Sequence, residues 1–131
     1  MDKPKILIVD DEKDAREMIR NFLNRHIECS LQEASSGREA LEFIGKDEFD
    51  LLLLDVKMPG ISGVDVLKKS KHLHPDTDVL MITAYDSPQV AREVLKKGAT
   101  DFIIKPSTIE VIFQKAVDIL KKRNQYLPKE K

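Results

Sequence analysis

A chain of 131 residues, 41% apolar and 34% charged, has room for one domain with its own core and little for a second. Its 22 Lys and Arg nearly cancel 23 Asp and Glu, and the net charge of -1 gives no electrostatic reason to bind nucleic acid or an anionic membrane. The single cysteine, Cys29, excludes an internal disulfide, and no apolar run approaches the roughly 20 residues of a membrane span.

The N-terminal stretch MDKPKILIVDDE sets its apolar run too close to acids for a signal peptide, so the expectation is a soluble, cytoplasmic domain. Lys5 to Asp10 is a continuous β-rich run, as expected of a strand buried on both faces. Ala15, Met18, Ile19, Phe22 and Leu23 then share one helical stripe. CSLQEA supplies a second strand. Ser36 to Glu39 has the form of a capping box before a helix that Gly45 closes. DLLLLD is a third strand, and Ser62 starts the next helix. Asp78 to Thr83 is a fourth strand. Ser87-Pro88 suits an N-cap followed by proline, opening a helix that stops at Gly98. DFIIK is a fifth strand, and Ser107 to Glu110 forms another capping box before the last helix. Its apolar stripe runs through Ile109, Ile112, Phe113, Ala116, Val117 and Leu120.

Five strand-then-helix units imply an α/β fold: a doubly wound, five-stranded parallel sheet with five helices covering both faces. The domain is expected over 1–122, with 123–131 a frayed tail or the start of a linker because periodicity is lost there.

In such a sheet, ligands bind where the strands end. The first strand leaves through Asp10, Asp11 and Glu12, the third through Asp55, the fourth through Thr83, and the fifth through Lys105-Pro106. Each feature has a purely structural explanation when taken alone. An acidic cluster favours a helix N-terminus, a lysine ends many strands, and a threonine satisfies a turn. Together they describe something else. Clustered carboxylates repel unless a cation relieves them. Mg2+ is the natural relief, because it takes few carboxylates and completes its shell with water and phosphate oxygens. With Lys105 and Thr83 able to contact an anion, the parts make a phosphoryl-transfer site whose nucleophile is a carboxylate.

At this point the residues resemble a known family. VDDE, LLLLDVKMPGISG, MITAY and GATDFIIKP, in that order and each at a strand end, are similar to the receiver domain of two-component response regulators of the chemotaxis-receiver type, over roughly Lys5 to Leu120. The resemblance implies a flavodoxin-like sheet with strand order 2-1-3-4-5. It implies Asp55 as phosphoacceptor, served by the phosphohistidine of a sensor histidine kinase or phosphotransfer protein. It implies Asp10, Asp11, Asp55 and the Lys57 carbonyl as ligands of Mg2+, for which Mn2+ can substitute. Thr83 and Lys105 are implied as contacts of the phosphoryl group, Phe102 as the switch aromatic beside Thr83, and Lys105-Pro106 as a cis bond. Lys57 and Tyr85 fall at positions flanking the path of the hydrolytic water, where bulky side chains imply slow loss of the phosphoryl group. The face of the fourth helix, fifth strand and fifth helix is the family's usual partner or dimer surface. The output partner is not specified, and direct DNA binding and membrane association are not expected. The chain is expected to be a signalling phosphoacceptor, not an enzyme with turnover.

Two alternatives stay open. A receiver can act as an interaction domain without phosphorylation. A Mg2+-dependent aspartyl-phosphate phosphatase would share the acids, but it wants a second acid two residues after the nucleophile, where this chain has Lys57. A nucleotide- or flavin-binding module finds no glycine-rich phosphate loop among 5 glycines.

Overall fold

The computed structural model describes residues 2–84 and 88–130. Five strands alternate with five helices: β1 (Lys5–Val9), α1 (Lys13–His26), β2 (Ser30–Ala34), α2 (Gly37–Lys46), β3 (Leu51–Leu54), α3 (Gly63–Leu73), β4 (Asp78–Thr83), α4 (Pro88–Lys96), β5 (Asp101–Ile104) and α5 (Ile109–Lys122). The strands form one parallel sheet in the order β2-β1-β3-β4-β5. The expected topology is therefore observed.

The four leucines of β3 show why its sequence is apolar without interruption. Side chains alternate across a sheet. Leu52 and Leu54 join Leu7, Val9 and Met81 against Ala40, Ile44, Val66 and Val94 of α2, α3 and α4. Leu51 and Leu53 join Ile6, Ile8 and Ile82 against Ile19, Leu23, Ile112 and Leu120 of α1 and α5. A half-buried strand would alternate apolar with polar; this central one has two cores to fill. Burying each leucine contributes roughly 1.5–3 kcal/mol, and the four together pin the strand whose end carries Asp55.

The helix ends refine the sequence reading. Ser62 and Asp65 make a complete capping box at α3. At α2, Ser36 accepts from the Glu39 N–H, but Glu39 reaches back to the N–H of Ser35 and not of Ser36. Gly45 does not close α2, which runs through Lys46 and is capped by Asp47 in extended backbone. At α5 the cap is Thr108, accepting from Val111, one residue later than expected. Thr108 has the extended backbone of a cap, so the first helical position falls on Ile109. The expected cap Ser87 lies outside the described residues, whereas Pro88 begins α4 as anticipated. Gly98, with φ of 106°, ends that helix in the left-handed conformation that glycine tolerates.

The C-terminal stretch is docked. Periodicity does end at Lys122, but residues 125–130 fold back along the α1–β2 connection. Glu28 donates to Leu127, Lys129 donates to His26, and Tyr126 packs against the α1–α5 core.

Candidate functional site

The C-terminal edge of the sheet brings the acids together. Asp10 follows β1, and its N–H bonds to Ala34 at the end of β2. One of its carboxylate oxygens accepts from the Glu12 N–H at 2.9 Å, and the other meets Lys105 Nζ at 3.0 Å. Asp55 follows β3, and its N–H is held by Val9. Its Oδ1 accepts from the Lys57 N–H at 3.2 Å, and its Oδ2 lies 3.4 Å from the same ammonium. Lys105 is fixed in turn, since its own N–H donates to Thr83 of β4 at 2.6 Å. The Lys105-Pro106 bond is cis.

Asp10 and Asp55 are 4% and 7% exposed, whereas Asp11 stands in solvent. Burial pushes the Asp55 carboxyl above the usual carboxylate range. Lys105 and the Lys57 N–H oppose that shift without overcoming it, and Asp10 adds to it. Burial by itself would lower Lys105, but the bond to Asp10 and the charges of Asp55 and Asp10 outweigh it and hold the ammonium above the ordinary lysine value. Asp10 and Asp55 therefore share the Lys105 ammonium.

A carboxylate oxygen from each of Asp10, Asp11 and Asp55 lies within 4.8 Å of the others. Oxygens bound to one Mg2+ at about 2.0–2.1 Å are at most about 4.2 Å apart, so small side-chain rotations suffice to share one ion. The residues fit a hard divalent cation: all oxygen, excess negative charge, and one member in solvent. A pocket of about 440 Å³ opens over them, walled by Asp11, Asp55, Lys57, Met58, Ala84 and Lys105.

Not every expected residue meets this pocket. Thr83 is fully buried, and Ala84, the next residue, forms the wall instead. Phe102 is half-buried and packs against the core shared by α2, α3 and α4. Lys57 is exposed at the pocket, and Tyr85 lies outside the described residues.

Two contributors escaped the sequence reading. Gly63, at the start of α3, sits so close to the end of β3 that a Cβ there would fall 1.9 Å from the Asp55 carbonyl oxygen. Its own N–H bonds to Val56, so the helix start is clamped onto the backbone that carries Asp55. The second glycine of PGISG was the available signal. The other is Arg16, which has Glu33 and, through it, Arg20 as neighbours. Arg16 donates to the Asp10 carbonyl at 2.8 Å, and both arginines hold Glu33. Their one-turn spacing on α1 and the position of Glu33 just before a strand end were legible, but the pairing was not.

The response regulator receiver domain model matches residues 6–117. The chain belongs to this family. It is 39% identical over 124 residues to the response regulator protein PilR of Pseudomonas aeruginosa, covering 95% of this chain and 28% of PilR. It is 35% identical over 108 residues to sporulation initiation phosphotransferase F of Bacillus subtilis, covering 82% of this chain and 86% of that protein. Among solved structures, a CheY-like receiver domain protein from Methanospirillum hungatei superposes with a TM-score of 0.87 at 28% identity, covering 95% and 98% of the two chains. The receiver domain spans about a quarter of the length of PilR and of the Escherichia coli transcriptional regulatory protein ZraR, 28% and 24% respectively. It is thus a receiver of two-component signalling, and no helix among its described residues is long and apolar enough to cross a membrane.

Proposed function

We propose that this receiver accepts a phosphoryl group on Asp55 from the phosphohistidine of a sensor histidine kinase or phosphotransfer protein. The observation that carries the reading is the convergence at the sheet edge: three carboxylates, two of them buried and sharing Lys105, and an open pocket above. An Asp55 oxygen attacks phosphorus in line, the new P–O bond forms as the P–N bond breaks, and the departing imidazole keeps the electron pair and takes a proton. The raised basicity of Asp55 suits it to this attack. Asp10, Asp11, Asp55 and the Lys57 carbonyl would hold Mg2+, or Mn2+ in its place, which when bound neutralises charge on the phosphoryl oxygens. Lys105, already within reach of Asp55, pairs with the phosphoryl group as it arrives.

Signalling then follows from what must move. Thr83 is fully buried at the end of β4, and a phosphoryl group on Asp55 would draw its hydroxyl and the end of that strand toward it. The Lys105 N–H to Thr83 bond would carry β5 with it, and Phe102, with no hydroxyl to strand, can change its burial. To move a conformational pair from about 1:99 to 99:1 takes roughly 5.5 kcal/mol of differential stabilisation. A few charge-assisted hydrogen bonds at about 1.5–3 kcal/mol each supply that. The surface changed would be that of α4, β5 and α5, for an output partner or a second phosphorylated copy. The domain works in the cytoplasm as a phosphoacceptor with self-directed chemistry only, and Lys57 together with Tyr85 slows hydrolysis.

The experiment is phosphoryl uptake from a phosphohistidine peptide, with and without chelator. Stoichiometric, acid-stable but base-labile labelling that needs Mg2+ is expected for an acyl phosphate. Steady release of inorganic phosphate with no labelled protein would contradict it.

A further inference from the structure

The sequence assigns Arg16 no role, yet it reaches into the acidic corner while only 14% exposed. Its Nη1 donates to the main-chain carbonyl of Asp10 at 2.8 Å, and its Nε pairs with Glu33 at 3.3 Å. Arg20, one turn further along α1, takes the other Glu33 oxygen at 2.7 Å. On its opposite side, the Asp10 N–H is held by Ala34 of β2. The peptides before and after Asp10 are therefore both tied, one to an edge strand and one to a helix. The second tie matters more. The Asp10 carbonyl belongs to the rigid plane that joins Asp10 to Asp11, so holding it sets the direction in which Asp11 leaves the strand. Asp11 stands in solvent beyond the end of the β1 ladder.

We propose that Arg16 is a positioning residue for the divalent-cation site, holding the Asp10–Asp11 peptide so that both carboxylates converge with Asp55 on one ion. The proposal rests on the reading of those three acids as cation ligands. An arginine suits the task because its planar fork can hold a carbonyl and a carboxylate at once. Glu33 completes the device. A positive charge this close to the acids opposes a second cation, and Glu33 offsets it while anchoring the fork.

The test turns on sign. Electrostatics alone says that Arg16→Ala, by removing a positive charge, tightens Mg2+ binding. Positioning says that it loosens binding, by about tenfold, the lower end of what groups supporting metal ligands contribute. Calorimetric titration with MgCl2 at fixed ionic strength compares wild type, Arg16→Ala and Arg20→Ala, with thermal unfolding followed on the same samples. Both variants lose a bond to Glu33, so a merely structural role moves both alike. The expected result is about tenfold weaker binding for Arg16→Ala and wild-type binding for Arg20→Ala. Unchanged or tighter binding by Arg16→Ala, or an equal loss in both variants, overturns the proposal. Where Arg16→Ala fails to fold, Arg16→Lys keeps the charge but replaces the rigid planar fork by a single ammonium on a flexible stem. Wild-type affinity in that variant overturns the proposal equally. A wild-type chain that binds no Mg2+ at all brings down the cation-site reading itself, a separate outcome.

Discussion

Strand β3 has an aspartate at each end, and the two have opposite fates. Asp50 precedes Leu51 and Asp55 follows Leu54, with four buried leucines between them. At the N-terminal edge Asp50 uses both oxygens, one for the Lys5 N–H at 2.8 Å and the other for Arg123 at 3.1 Å. The same guanidinium holds Asp78 at 2.9 Å and the Asp76 carbonyl at 2.6 Å, and Thr100 takes the remaining Asp78 oxygen. Two carboxylates there meet a five-donor fork plus local donors, and each oxygen has a partner. At the other edge, the buried Asp10 and Asp55 share the Lys105 ammonium, a point charge, and Asp11 brings a third carboxylate beside them. A strand-end aspartate is therefore not functional by position. It is a candidate where carboxylates converge and a pocket opens over them.

The same substitution should have different consequences at the two ends of β3. Asp55→Asn is expected to abolish phosphoryl uptake, whereas Asp50→Asn leaves it near wild type, read by acid-stable labelling under identical Mg2+. Comparable loss in both would mean that the two ends are not distinct in kind.

Next in size are the structural effects. Arg123→Ala strands Asp50 and Asp78 together in a partly buried site, and denaturant unfolding should show a loss of about 2–3 kcal/mol, with phosphoryl uptake retained by the folded fraction. Gly63→Ala drives a methyl group into the Asp55 carbonyl, so it should cost about 1–3 kcal/mol and also weaken Mg2+ binding. A Gly63→Ala protein with native stability and affinity would contradict the close approach described above.

A smaller effect separates the two aspartates by sign. The folded-state pKa of Asp55 is raised, so ionising it costs stability: the native state is favoured at pH below that pKa and loses the advantage as pH rises through it. Asp55→Asn should therefore raise the thermal midpoint at pH 7 by a few degrees, a gain that fades in acid, whereas Asp50→Asn should lower it. Mg2+ affinity should also fall at a pH above that expected of an ordinary carboxylate. Two midpoints moving in the same direction would remove the distinction.

The smallest effect concerns lifetime. Replacing Lys57 and Tyr85 together by small side chains should shorten the life of the phosphorylated protein several-fold, as followed by decay of the label. An unchanged lifetime would mean that neither guards the path of water.

Most of the architecture was legible because a doubly wound sheet writes its pattern locally. Uninterrupted apolar runs such as LLLL mean two cores, helical stripes mean one, and Ser62, Pro88 and Gly98 punctuate them. The converging residues Asp10, Asp11, Asp55 and Lys105 were legible for the same reason, since parallel strands deliver their ends to one edge. What stayed hidden depends on contacts distant in sequence. The pairing of Arg123 with Asp50 and Asp78, the return of residues 125–130 onto the α1–β2 connection, and the reach of Arg16 to the Asp10 carbonyl leave no periodic trace. Gly45 and Ser107 misled because glycine near a helix end and serine before a helix are strong local signals. In both cases one further residue of context decided the boundary. Thr83 was correctly placed at a strand end, but its full burial depends on packing that a strand pattern does not reveal.

The central claim is that Asp55 alone among these acids carries the phosphoryl group. Borohydride reduction of the phosphorylated protein converts an aspartyl phosphate to homoserine, which peptide mass mapping then locates. The account predicts homoserine at position 55, dependent on Mg2+ and absent from Asp55→Asn. Homoserine at Asp10, Asp11 or Asp50, or none in a folded, Mg2+-bound protein given a phosphohistidine donor, would contradict it.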